Sequence, residues 1–147
     1  MPPEKKNDGS TAVEFAMLLP VWLMIFFAFL DYGWYLTNIF VLDHAVTAGA
    51  RAGVKVKYWL EPDDDAYKDP GEIAKQMVRR SFWLGSIQDN DIEVKYINQD
   101  NEEVDETGEL FYLEVRVQKL AYSFLAGYLP EGMIPETIGA VALAAFP

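Results

Sequence analysis

The feature that most limits this chain is a run of sixteen residues without a charge, FAMLLPVWLMIFFAFL, from Phe15 to Leu30. As a helix the run spans ~24 Å, against ~30 Å for the hydrocarbon core of a bilayer. The pattern continues beyond it. After Asp31 come Tyr32, Trp34 and Tyr35, aromatics suited to a membrane–water boundary, and then Leu36 to Leu42 without a charge. Four Phe, a Trp and two Met populate nearly every face of the run, so a membrane span is favoured over the core helix of a soluble domain.

The flanks set an orientation. Residues 1–9 (MPPEKKNDG) carry Lys5 and Lys6 and read as a short cytoplasmic leader by the positive-inside tendency. Residues 31–147 hold twenty acidic and ten basic side chains, a net −10 expected outside. A secretory signal is cut just after its apolar region, but Ala48-Gly49-Ala50 lies some eighteen residues beyond Leu30, so the apolar helix is expected to be retained. The net charge of −11 argues against nucleic acid as a partner. The lack of cysteine removes disulfides, thiolate zinc sites and thiol nucleophiles. With His44 as the single histidine, a two-histidine metal site is impossible within one chain.

Glu14 stands directly before the apolar run, in GSTAVEF. A carboxylate at the centre of a membrane helix costs about 2.5–3.5 kcal/mol on insertion scales, and less near an end. Snorkelling to the headgroups is the simple structural reading. A second reading comes from Gly9, five residues earlier. If the chain were cut after Gly9, Ser10 would carry a new ammonium group one helical turn from a carboxylate. In a bundle of such helices each Glu14 could pair with a neighbour's amino terminus and fix the axial register between subunits.

These residues resemble type IV pilins and pseudopilins, and more narrowly the TadE-like family of minor pilins of Flp (Tad) pili. GSTAVEFAMLLPVW followed by LDHAVTAGARAGV carries the resemblance through Gly9, Glu14, Phe15 and Pro20, then Gly49, Ala50 and Arg51. It is strong over residues 9–53 and extends, less specifically, over 91–147. It implies cleavage between Gly9 and Ser10 by a prepilin peptidase, with Glu14 acting in recruitment to the pilus or its assembly machinery. It also implies other pilin subunits, major and minor, as partners at the inner membrane.

From Thr37 to Val56 the helix turns amphipathic. Leu42, Val46, Gly49, Ala50 and Gly53 recur at three- and four-residue spacing and share one face. Glycine costs roughly 1 kcal/mol against alanine inside a helix, so Gly49 and Gly53 imply a close neighbour, read here as the domain's own sheet. Pro20 predicts a kink in the membrane half. Residues 61–71 form an acidic loop, and Asp69-Pro70-Gly71-Glu72 reads as a helix start. That helix is expected to run to about Leu84, with Ile73, Met77 and Leu84 inward. Two strands follow: one of Ile92, Val94 and Tyr96, another of Phe111, Leu113, Val115 and Val117. The acidic stretch NQDNEEVDETG between them reads as a hairpin tip. Thr137 to Phe146 is a small-residue strand whose alanines suit the glycine face of the helix. Residues 120–130 (LAYSFLAGYLP) read either as a short helix over the core or as a patch on lipid headgroups.

Candidate chemistry is thin. The acidic groups Asp63, Asp64, Asp65 and Asp69, then Asp89, Asp91 and Glu93, then 100–106, lack the EF-hand order and read as solvated loops. No catalytic, cofactor-binding or metal residue is expected. The expected fold class is α+β: a leader over 1–9, a long helix over 10–56 with its membrane half at about 15–36, and an extracytoplasmic domain over 57–147 bearing an antiparallel sheet. The expected function is a non-enzymatic minor pilin or pseudopilin that takes part in pilus assembly or priming, and so in secretion or cell adhesion. The alternative is an unprocessed single-pass anchored domain that binds a ligand, a metal or a surface.

Overall fold

A computed structural model describes residues 8–56, 68–104, 111–125, 132 and 134–147. The first element, α1, is a single helix from Asp8 to Gly53, 46 residues, continuous through Pro20. The second, α2, spans Pro70–Ser81. Four strands follow: β1 Ile92–Ile97, β2 Glu103–Val104, β3 Tyr112–Ala121 and β4 Thr137–Ala145. They form one antiparallel sheet in the order β2-β1-β3-β4. The chain is α+β, with the long apolar helix ahead of the sheet. It divides into two compact units, the residues up to Tyr35 with Phe124–Ile134, and Leu36–Ser123 with Pro135–Pro147.

In the larger unit, α1 contributes a buried stripe of Asn38, Leu42, Ala45, Val46, Gly49, Ala50 and Gly53. The three- and four-residue spacing puts these positions on one face. The glycines mark where α2 crosses closely. A Cβ on Gly49 would sit 2.5 Å from Val78 Cγ2 and 2.9 Å from the Ala74 carbonyl. One on Gly53 would meet the Leu113 side chain and lie 2.8 Å from the Pro70 carbonyl. The glycine face therefore receives α2 and the central strand β3. β4 is an edge strand beyond β3, which corrects the expectation that its alanines fill that face. A large Leu113 and the backbone of α2 already occupy the space.

The start of α2 follows its sequence. Asp69 Oδ1 and Oδ2 accept the N–H groups of Gly71 and Glu72 at 2.9 and 3.1 Å, and Pro70 occupies the first turn, where a missing N–H costs nothing. The end differs. The helix stops at Ser81, because Phe82 turns to extended backbone and buries its ring. The inner positions are Gly71, Ala74 and Val78, while Ile73 and Met77 are half-buried. Small residues must face α1 where its glycines admit a close approach, and that shifts the buried stripe by one position.

In the sheet, β1 and β3 register places Ile92, Val94 and Tyr96 opposite Val117, Val115 and Leu113 on the core face. Leu113, Val115 and Val117 are fully buried. The opposite face carries charge: Lys95 lies 2.8 Å from Glu103 and 3.4 Å from Glu93, and Arg116 lies 2.7 Å from Glu114. Phe111 precedes β3, is exposed, and stacks edge-on against Tyr112. The acidic stretch after β1 is more than a hairpin tip. Asn98–Glu102 makes a tight turn, with Asn101 in the left-handed region at φ 63° and Asn98 Oδ1 accepting the Glu102 N–H. Glu103–Val104 then returns as β2 along β1. β3 runs past Gln118, through an irregularity between Val117 and Leu120, to Ala121. That absorbs the first two residues of the ambiguous 120–130 stretch; its last five lie outside the described residues.

Candidate functional site

The first half of α1 leaves an apolar surface uncovered on every side. From Thr11 to Phe26 every residue is exposed, including Phe15, Met17, Trp22 and Phe26 at 57%. This surface is contiguous around the helix. Monomeric soluble proteins rarely expose apolar patches beyond a few hundred Å². The stretch from Thr11 is long and apolar enough to cross a membrane, and none of its most apolar window is buried.

Gly9 and Ser10 lie in the first turn of this helix, and Glu14 follows in exposed surroundings. In a continuous helix, Ser10 and Glu14 stand four residues apart on one face, ~6 Å along the axis. The structure thus brings the Gly9–Ser10 bond and the Glu14 carboxylate to the same end of the same rod. Gly49, Ala50 and Gly53 are elsewhere, in the larger unit, and are consumed by internal packing.

Sequence reasoning gave no role to Asp31. It is 1% exposed, although it is an acid at the close of an apolar run. Its signal was its spacing: with Phe27, Ala28, Trp34 and Tyr35 it forms a sheltered stripe at three- and four-residue intervals. In the sequence Tyr96 reads only as a strand residue, yet its hydroxyl serves the start of α2.

No catalytic arrangement is evident among the described residues. His44 and Asp43 are both exposed on α1. Asp69 caps α2, Asp89 pairs with Arg79 at 3.0 Å, and Asp91 accepts the Gln88 N–H at 3.0 Å. Among the described residues no three His, Asp or Glu side chains are placed to share a metal ion. Asp63, Asp64 and Asp65 lie outside them. A shallow depression over the β3 irregularity, lined by Arg116, Lys119, Gly139 and Val141, is open to solvent.

Residues 9–51 match the family model described as TadE-like protein. No curated protein and no solved structure matches the chain.

Proposed function

We propose, from the match of residues 9–51 to the TadE-like family model, that the chain is a minor pilin or pseudopilin that takes part in assembling or priming a Tad-type pilus. The observation that carries this reading is the helix surface from Thr11 to Phe26, apolar and exposed on all sides, with Glu14 one turn from Ser10. A prepilin peptidase cuts between Gly9 and Ser10 while the N-terminus is cytoplasmic. The extracytoplasmic domain then faces the periplasm or the cell exterior. The new Ser10 ammonium pairs with a carboxylate of a neighbouring subunit, because two opposite charges in low dielectric are far more stable together than apart. Helices bundle through their apolar faces, and the pair fixes how far one slides along another. The partners are other pilin subunits, the assembly machinery and the peptidase, and the role is structural rather than enzymatic.

The test is incorporation. Glu14→Ala should insert into the membrane as the parent does, yet be lost from sheared pilus fractions, while Glu14→Asp should retain part of the signal. Parent-like recovery of Glu14→Ala in fibres overturns the register role.

A further inference from the structure

The smaller unit of the chain joins two distant stretches, the first half of α1 and Phe124–Ile134. The chain enters the second stretch from Ser123 and leaves it at Pro135, both of which belong with the sheet. From Thr11 to Phe26, α1 is exposed all round; from Phe27 one face is sheltered, at Phe27, Ala28, Asp31, Trp34 and Tyr35. Phe27 and Ala28 lie within the uncharged run, and Asp31 closes it. Shelter therefore begins about a turn inside the apolar segment. At the other partner of this unit, Ile134 is buried, while Phe124 is 39% and Leu125 58% exposed. No charge occurs from Leu120 to Pro130.

We propose that Phe124 and Leu125 form an interfacial anchor seated in the outer leaflet of the bilayer that α1 spans. The partner is a lipid surface, continuous with the one that α1 would span. If Phe15–Leu30 occupies hydrocarbon, Phe124 and Leu125, which group with α1 up to Tyr35, reach the level of the boundary aromatics Tyr32, Trp34 and Tyr35. These two exposed side chains then enter the headgroup–acyl zone, where apolar burial is favourable and polar backbone still finds water. Asp31, 1% exposed, is sheltered from lipid at the same level, where an ionisable side chain is costly. The anchor rests on the membrane-span reading of α1 but not on leader cleavage or fibre assembly.

The chain has no cysteine, so single-cysteine spin labels report position without background. The full chain is reconstituted in phosphatidylethanolamine–phosphatidylglycerol vesicles at high lipid excess, carrying Leu125→Cys, Phe124→Cys, Phe26→Cys or Gln76→Cys. Collision rates with oxygen and with a water-soluble nickel chelate are then compared. The labels at 124 and 125 should show an oxygen-to-chelate ratio several-fold above that at 76 and below that at 26. A ratio at both sites equal to that at 76, with 26 still protected, overturns the anchor and leaves the span intact. Chelate access at 26 as well overturns both. Protection at 124 and 125 that disappears on further dilution with lipid also overturns it, in favour of contact with a second copy.

Discussion

The Tyr96 hydroxyl donates to Asp69 Oδ1 at 2.6 Å and accepts the Gly71 N–H at 3.1 Å. One side chain from β1 thus completes the cap of α2 and fixes where that helix begins over the sheet. Gly71 is part of the arrangement, since a Cβ there would lie 2.8 Å from the same hydroxyl. The bond has an ionised acceptor in a half-buried place, the setting in which hydrogen bonds contribute most.

Tyr96→Phe should therefore destabilise the larger unit by about 1–2 kcal/mol. Asp69→Ala should cost about 1 kcal/mol as a lost helix cap. The double variant should cost less than the sum, because the two groups share one network. Chemical denaturation in detergent, followed by near-ultraviolet circular dichroism, reads all three.

Gly53→Ala and Gly49→Ala set two effects against each other. Alanine favours helix by roughly 1 kcal/mol over glycine. The added methyl, however, meets backbone carbonyls of α2 that have little freedom to yield, and overpacking costs about 1–3 kcal/mol. Net destabilisation is expected at both. Gly33→Ala is the control, since nothing lies within 4 Å of its added Cβ, and it should be neutral or stabilising. Midpoints of unfolding decide the signs.

Lys119 adopts φ 55° where β3 is irregular, a left-handed conformation that costs a non-glycine residue about 1–2 kcal/mol. Lys119→Gly should recover up to about 1 kcal/mol, the rest being offset by the greater freedom of glycine in the unfolded chain. Across the ladder, Gly139 would place a Cβ 3.0 Å from the Val117 carbonyl. Gly139→Val should accordingly lower the melting temperature, the opposite sign to Lys119→Gly.

The Lys95 ammonium is held above its ordinary pKa, first by its hydrogen bond to Glu103 and that residue's charge, then by Glu93. The sign follows from linkage: a cation whose folded pKa is raised contributes stability fully below its unfolded pKa, near 10.4, and loses it as pH rises through the higher folded value. The contribution is small because Lys95 is solvent-screened. Carbon-detected NMR of its side chain should show a titration midpoint above that of free lysine, and Glu103→Gln should move it downward.

The elements were legible where local physics decides them. Apolar continuity gave α1, the Asp69-Pro70 pair gave the start of α2, and alternation gave β1 and β3. What escaped notice depends on neighbours distant in sequence. No local rule puts Ala74 and Val78 inward instead of Ile73 and Met77; the glycines of α1, some twenty-five residues away, do. β2 is two residues long and is defined only by its partner. At the candidate site, Gly9, Ser10 and Glu14 could be read from spacing along one helix. Asp31 shares its spacing with Phe27, Ala28, Trp34 and Tyr35, but no local rule buries an acid at the close of an apolar run.

The proposed pairing of Glu14 with a cation created by cleavage is decided by the intact mass of the chain. Expressed with a prepilin peptidase in cells that build these pili, the parent should lose residues 1–9 and begin at Ser10. Gly9→Val should keep its leader under the same conditions. A parent chain recovered at full length alongside active peptidase would overturn this pairing, because the Ser10 ammonium would then never form.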